Sequence, residues 1–235
     1  MRNKKAPEME ANTSFRNIEE LSPGDVILCH CDPSQDIVAR IIHEVTSSEY
    51  CHAAIYYGNS LAAESTAKNG LKKGKIEKIE VSDLVSRYGH VALLRQPDAW
   101  RGDIRVKELQ LFIDKVVETE SKYNCKGILA FKKRRRIMKK NLYENLAKFF
   151  DENPDPVPTL KHKYFCSEFV TDCFTAVGFI EPRAAVLYQS DICAPGDFGK
   201  DPTFGAFWGY VTKKPEYVVE ESDYFYQEGT YDKIF

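Results

Sequence analysis

The sequence has no apolar run long enough to span a membrane, because no window reaches the ~18 apolar residues that such a helix needs. The N-terminal stretch MRNKKAPEMEANTSF is basic at its start, but no apolar segment follows the charges. No signal peptide is therefore visible. We expect a soluble, cytoplasmic protein, with peripheral attachment to a membrane left open.

The chain also lacks a strong net charge. Its 33 Lys and Arg residues nearly balance its 35 Asp and Glu residues, which leaves a formal charge of −2. Any attraction to nucleic acid or to an anionic membrane must therefore be local. No internal repeat is present. The 235 residues, of which 43% are apolar, suffice for one large domain or two small ones.

The cysteines have neither the even count nor the regular spacing of a disulfide framework. The seven cysteines are Cys29, Cys31, Cys51, Cys125, Cys166, Cys173 and Cys193. We expect most of them to be reduced, as in an intracellular protein. The segment Cys29-His30-Cys31 has no second ligand pair to complete a tetrahedral zinc site. We predict neither a metal site nor another cofactor.

Strand and helix patterns are segregated along the chain, which is typical of an α+β protein with an antiparallel sheet. Apolar runs predict strands over 26–29, 52–57, 61–64, 76–81 and 90–95, and helical spacing predicts helices over 34–48, 103–122 and from 142 onward. Residues 123–131 show neither pattern and are interpreted as irregular. We expect a flexible segment over 1–17 and a single domain over 18–235, with a helical insertion around 100–150.

Cys166 stands directly before an amphipathic helical pattern that ends at Gly178. A thiol at a helix N-terminus lies near unpaired N–H groups and the positive end of the helix dipole. Both favour the thiolate, which is the nucleophilic form. The alternative is a small buried apolar residue, which is the common role of a free cysteine.

A cysteine nucleophile needs a base, and the base needs a group that holds its tautomer. The five histidines are His30, His43, His52, His90 and His162. His52 opens a strand that turns back towards Glu64. The two share a face of the hairpin only if the connection has an odd number of residues, such as Gly58-Asn59-Ser60, or a bulge. Otherwise His52 is a packed strand histidine and Glu64 an exposed carboxylate.

Three short motifs occur along the chain, and the motif with the histidine precedes the one with the cysteine. They are LSPGDVIL at 21–28, HAAIYYG at 52–58 followed by Glu64, and YFCSEFV at 164–170. They resemble the circularly permuted NlpC/P60 group of papain-like enzymes, most closely the YiiX/YaeF-like proteins, with the lecithin–retinol acyltransferase family as a relative. The resemblance spans roughly residues 20 to 200. In ordinary papain-like proteins the cysteine helix precedes the histidine strand, whereas here the histidine comes first.

This resemblance implies a permuted papain-like fold, in which an antiparallel sheet or small barrel packs on the helix that carries the cysteine. It implies Cys166 as nucleophile, His52 as base and Glu64 as the residue that orients the base. Gly24-Asp25 matches a family position that we interpret as structural. The turn at residues 194–197 resembles a family Ser-Pro-x-Asp turn, but alanine replaces the serine, so its role stays open.

The substrate is less well defined by the sequence. Residues 132–140 hold seven basic residues in nine and precede an apolar helical face. We expect Lys132, Lys133, Arg134, Arg135 and Arg136 to contact an anionic membrane surface. A solvated helix start or a patch for an acidic partner is the alternative. No nucleic-acid-binding motif accompanies the charge, so we predict no nucleic-acid partner.

Three functions follow from these observations. The first is a cysteine hydrolase or acyltransferase that acts on an amide or ester of a small-molecule, peptide or lipid substrate. The second is a peptidase of cell-wall-type peptides, which the missing signal peptide disfavours. The third is a non-catalytic lipid-binding module, which the intact set of Cys166, His52 and Glu64 disfavours.

Overall fold

The computed structural model describes residues 15–32, 37–68, 73–96, 103–152, 160–181, 184 and 188–228. Three parts of the sequence interpretation fall wholly or partly outside these ranges. They are residues 1–14 of the N-terminal segment, residues 34–36 of the first predicted helix, and residues 100–102 at the start of the predicted helical insertion.

The centre of the fold is a curled eight-stranded sheet with the strand order β7-β6-β4-β3-β2-β1-β5-β8. The strands are β1 (Val26–His30), β2 (Tyr50–Gly58), β3 (Leu61–Lys68), β4 (Lys73–Glu80), β5 (Val91–Arg95), β6 (Lys122–Tyr123), β7 (Lys163–Tyr164) and β8 (Ala206–Val211). All neighbours are antiparallel except β6 and β7. The predicted α+β class with an antiparallel sheet is confirmed.

The helices cover both faces of the central strands. They are α1 (Ile37–Thr46), α2 (Val81–Ser86), α3 (Asp103–Glu118), α4 (Cys125–Lys140), α5 (Leu142–Glu152), α6 (Cys166–Ala176), α7 (Pro195–Phe198) and α8 (Tyr224–Glu228). Val26 and Leu28 of β1 pack in one apolar cluster with α3 and α6, while Ile27 and Cys29 pack in another with α2. Burial on both faces explains why β1 is an uninterrupted apolar run.

The irregular structure predicted for residues 123–131 was wrong. Helix α4 begins at Cys125 because the Asn124 side chain accepts a hydrogen bond from the Gly127 N–H, at 3.0 Å. The helix continues through the whole basic run. Among the side chains that the structure describes in this helix, the buried apolar ones are Ile128, Phe131 and Met138, whose spacing is helical. The many lysines and arginines on the opposite face obscured this spacing.

Cys31 and Cys51 form a disulfide. Cys31 directly follows β1 and Cys51 lies near the start of β2, so the antiparallel pairing of these strands brings the two side chains together. Cys29, Cys166, Cys173 and Cys193 are free thiols. Four free thiols agree with the expectation that most cysteines are reduced, whereas the Cys31–Cys51 disulfide was not predicted.

Candidate active site

Cys166 is the first residue of α6, and it is only 3% exposed. The preceding residue, Phe165, has an extended backbone and no side-chain oxygen with which to cap the helix. Glu168 replaces that cap, because its carboxylate accepts a hydrogen bond from the Phe165 N–H at 3.3 Å. The backbone N–H of Cys166 belongs to the first turn, where no carbonyl within the helix is available to it.

His52 lies on β2 and donates from Nε2 to the Glu64 carboxylate on β3, at 2.7 Å. Glu64 is fully buried. The other imidazole nitrogen, Nδ1, is the one left for the thiol of Cys166, which lies close enough to His52 for each group to shift the pKa of the other. The Cys166 sulfur also lies 4.0 Å from the Cys51 carbonyl oxygen. The structure therefore brings the three predicted site residues together in one chain of contacts, Glu64–His52–Cys166.

A bulge at Tyr57 puts His52 and Glu64 on the same face. The turn itself has two residues, Asn59 and Ser60, both with positive φ, and it joins the paired residues Gly58 and Leu61. That turn alone would put Glu64 on the face opposite His52. The register shifts between Tyr56 and Gly58, so that Ala54 pairs with Glu64. The bulge, and not the three-residue loop considered first, supplies the odd residue.

Two residues that the sequence did not single out complete the surroundings of this chain. Arg87 donates to the second oxygen of Glu64 at 2.8 Å. The ring of Tyr88 stacks on that of His52, with centroids 6.2 Å apart and planes 14° apart. Both residues directly follow α2, and no motif marks them, because only the fold brings this segment to Glu64.

A family model described as "Permuted papain-like amidase enzyme, YaeF/YiiX, C92 family" matches residues 20–222. The chain belongs to this family. It is a papain-like cysteine hydrolase of the amidase class. The predicted permuted papain-like fold is confirmed. None of the curated proteins compared with the chain matches it.

The electrostatics of the amidase site favour an ion pair between thiol and imidazole. Burial alone would lower the pKa of His52, but hydrogen bonds to Cys166 and Glu64 raise it to about 10. Burial alone would raise the pKa of the Cys166 thiol, but the His52 hydrogen bond and charge, with the N–H groups of Ala53 and Ser167, lower it. Both pKa shifts therefore favour the ion pair of protonated imidazole and thiolate over the neutral pair.

Glu64 stays ionised for a similar reason. Burial would raise the pKa of its carboxyl, but the hydrogen bond from His52 and the charge of Arg87 hold that pKa below its usual value. An ionised carboxylate can only accept hydrogen bonds, so it keeps a proton on the Nε2 atom of His52.

Replacing Arg87 with glutamine is expected to lower kcat/KM by about 3- to 10-fold. The Arg87 side chain is 38% exposed, and an ion pair at such a position typically contributes about 1 kcal/mol. Without the arginine, the pKa of Glu64 rises, so the acidic limb of the pH–rate profile moves to higher pH. Arg95→Gln is the matched control, since Arg95 pairs with the buried Asp25 outside the site. A pH profile that shifts equally in both variants contradicts this role for Arg87.

An apolar pocket opens beside Cys166. Its cavity volume is about 20 Å³, room for about one water molecule, and therefore well below the range for ligand pockets. Helices α1 and α4 supply most of its apolar wall, and Cys193 and Pro195 close another side. Its lining residues are Ile42, Val45, Thr46, Ile128, Phe131, Phe165, Cys166, Ser167, Cys193 and Pro195. Its walls are apolar, and a group larger than a water molecule can enter only if these side chains move apart.

The remaining predicted residues have structural contacts. Asp25 is buried and paired with Arg95, in agreement with a structural role for Gly24-Asp25. In the turn at residues 194–197, Asp197 accepts from the Ala194 N–H at 2.8 Å and pairs with Arg135 at 2.9 Å. This turn holds Pro195 against the pocket.

The other histidines lie elsewhere. His43 hydrogen-bonds the Ser48 carbonyl at 2.8 Å, and His162 is exposed. His30 and His90 stack on each other, and Asp223 hydrogen-bonds His90. An acid partner for His90 was not foreseen, because it lies 133 residues away in the chain.

Proposed function

We propose that Cys166, His52 and Glu64 hydrolyse an amide whose acyl part is apolar and whose site of presentation is an anionic membrane surface. The observation that carries the proposal is the arrangement of Glu64, hydrogen-bonded to His52, with His52 beside the Cys166 thiol at the N-terminus of α6. Family membership supports amide hydrolysis, and it argues against a non-catalytic binding module.

The chemistry follows from this chain of contacts. The Cys166 thiolate attacks the amide carbonyl carbon, and the carbonyl electrons form an oxyanion. The Cys166 N–H is placed to stabilise that oxyanion, and one such donor is typically worth about 3–4 kcal/mol. His52 then gives its proton to the amide nitrogen, the C–N bond breaks, and the amine leaves.

The second half of the reaction releases the acyl group. A water molecule attacks the thioester while the now neutral His52 takes one of its protons. The C–S bond breaks, a carboxylic acid leaves, and the thiolate–imidazolium pair is restored. Glu64 remains ionised and holds the imidazole in place throughout. An amine in place of water would give acyl transfer by the same steps.

The first test is the position of covalent labelling. The protein is treated with iodoacetamide at neutral pH, and the labelled peptides are mapped by mass spectrometry over time. We expect Cys166 to react before Cys193, since burial raises the pKa of the Cys193 thiol to about 12. Equal labelling of the two thiols would remove the support for an activated nucleophile.

The pocket predicts the acyl preference. Val45→Trp should lower kcat/KM for a hexanoyl amide about 10- to 100-fold relative to an acetyl amide, because misfit in an apolar pocket typically costs 1–3 kcal/mol. Val218→Trp adds the same bulk at an exposed position and serves as the control. Both rates are measured with fluorogenic amides of matched leaving group. An unchanged ratio in Val45→Trp would place the acyl group elsewhere.

The basic face of α4 supports the proposal that the substrate is presented at an anionic membrane surface. The structure changes which of the predicted basic residues are suited to contact lipid. Arg134 and Arg135 form ion pairs with Asp191 and Asp197, so they are less suited to lipid contact. Within residues 132–140, five exposed cations remain: Lys132, Lys133, Arg136, Lys139 and Lys140. Ile137 lies among them and is exposed as well. The opposite face of the same helix lines the pocket beside the thiol.

Neutralising Lys132, Lys133 and Arg136 to glutamine is expected to weaken binding to phosphatidylserine-containing vesicles about 100-fold, since each basic residue contributes ~1 kcal/mol near such a surface. The matched control replaces Lys107, Lys115 and Lys122, which are equally exposed but lie on α3 and β6. Binding is measured by vesicle sedimentation. An equal loss in both triple variants would mean that net charge, and not this face, drives the attraction.

A further inference from the structure

A compact cluster of two histidines and an aspartate lies where β1 ends and β5 begins. His30 and His90 face each other across these strands, where the His30 N–H donates to the His90 carbonyl, and their rings stack with centroids 4.5 Å apart. Asp223, which precedes α8, lies beside them. One potential ligand atom from each of the three residues falls within 4.8 Å of the other two.

The distances suit a transition-metal ion. At the usual bond lengths of 2.0–2.1 Å, neighbouring ligand atoms of a tetrahedral zinc site are roughly 3.3 Å apart. His90 Nε2 and Asp223 Oδ2 are already 3.2 Å apart. Only His30 has to move closer, and it is half-buried, whereas the other two are buried.

The neighbours of the cluster resemble the outer shell of a metal site. Tyr50 and Tyr210 donate hydrogen bonds to the two oxygens of Asp223, at 2.9 and 2.7 Å, which fixes the carboxylate. Tyr217 lies 3.0 Å from His90 Nδ1, so this nitrogen can donate to the hydroxyl while Nε2 faces the ion. Such partners orient ligands and sustain metal affinity.

The cluster is also accessible. It borders a wide cleft that includes the acidic residues Asp32, Glu49 and Glu220. Arg87 and Lys214 line the cleft too, so with Asp223 its acidic side chains outnumber its basic ones by four to two, and this excess favours entry of a cation. Two histidines and one carboxylate leave at least one coordination position for water from this cleft, as in zinc sites with three protein ligands.

We propose that His30, His90 and Asp223 bind a zinc-class divalent ion with an open coordination position towards the cleft. This site departs from the sequence prediction of no metal. It also differs from a zinc site at Cys29-His30-Cys31, which the sequence argues against. Cys31 is in a disulfide, and Cys29 is buried in the apolar cluster that β1 forms with α2.

The test must separate this site from the Cys166–His52 pair, because a thiolate and an imidazole also bind zinc. The titrations therefore use the full chain carrying Cys166→Ala. Zn²⁺ binding is measured by calorimetry, and Co²⁺ binding by the visible absorption of the bound ion. We expect one ion per chain, tighter than micromolar. At a hundredfold excess over Kd, the Tm should rise by about 5–10 °C.

Adding His30→Ala should weaken binding at least about 100-fold, while His162→Ala, an exposed histidine, should leave it unchanged. Asp223→Asn is the second ligand variant, and it should cause a similar loss if the first fails to fold. Absence of binding in the Cys166→Ala protein would overturn the proposal. Binding that survives both His30→Ala and Asp223→Asn would overturn it as well. Neither outcome bears on amide hydrolysis, which is tested separately.

Discussion

Replacing Cys166 with alanine is expected to lower amide turnover by at least about 10⁴-fold, the size of loss seen when a member of a nucleophile–base–orienter set is removed. The fold should survive, because the substitution removes one sulfur from a position at the helix end. Turnover of fluorogenic acyl amides is the measurement, and circular dichroism checks the fold.

Cys173→Ala is the matched control for this result. Cys173 lies on the same helix and is fully buried in the main apolar cluster, so its loss should lower stability but leave turnover nearly intact. Cys193→Ala tests the other thiol that lines the pocket. If Cys166→Ala keeps more than a few per cent of wild-type turnover, or if Cys193→Ala abolishes it, Cys166 is not the nucleophile.

Replacing His52 with alanine should raise the pKa of Cys166, because burial then acts without the opposing hydrogen bond and charge of the imidazole. A rise of one unit reduces the thiolate about tenfold at a pH below both values. The remaining thiolate is intrinsically about threefold more nucleophilic, so the rate at one pH understates the change. The midpoint of the alkylation rate against pH is the better measurement.

The direction of the pH dependence can be stated in advance. Amide hydrolysis by the wild-type protein should be fastest at pH values between the lowered pKa of the Cys166 thiol and the pKa of about 10 of the His52 imidazole. In hydrolysis the rate should decline above that upper limit, because neutral His52 has no proton for the leaving amine. His162→Ala, at an exposed position, should keep the wild-type midpoint. An unshifted midpoint in His52→Ala would break the proposed link between imidazole and thiol.

Much of the site could be anticipated from the sequence because its signals are local. The helical spacing after Cys166 indicated the position of the thiol at a helix N-terminus. The apolar runs over 52–57 and 61–64, with a turn between them, indicated a hairpin, and the order of the three motifs indicated the permuted fold. Each motif is itself a short stretch of neighbouring residues, and only the order of the motifs depends on the whole chain.

What could not be anticipated depends on contacts between distant segments. Arg87 reaches Glu64 only because α2 packs beside β3 and β4. Asp223 meets His90 from the far end of the chain. The two-residue strands β6 and β7 are too short to show any alternation of apolar and polar residues. Cys31 and Cys51 carry no spacing signal, and the pairing of β1 with β2 is what joins them.

The bulge at Tyr57 has a consequence for how this hairpin can vary. The backbone carbonyl of Tyr57 accepts a hydrogen bond from the Gln110 side chain of α3, at 2.9 Å. Because side chains alternate between the faces of a strand, removing this one residue would invert the parity of everything that follows it up to Glu64. The hairpin can therefore tolerate gain or loss of residues in twos, whereas a change of one would separate the imidazole from its carboxylate without altering either residue.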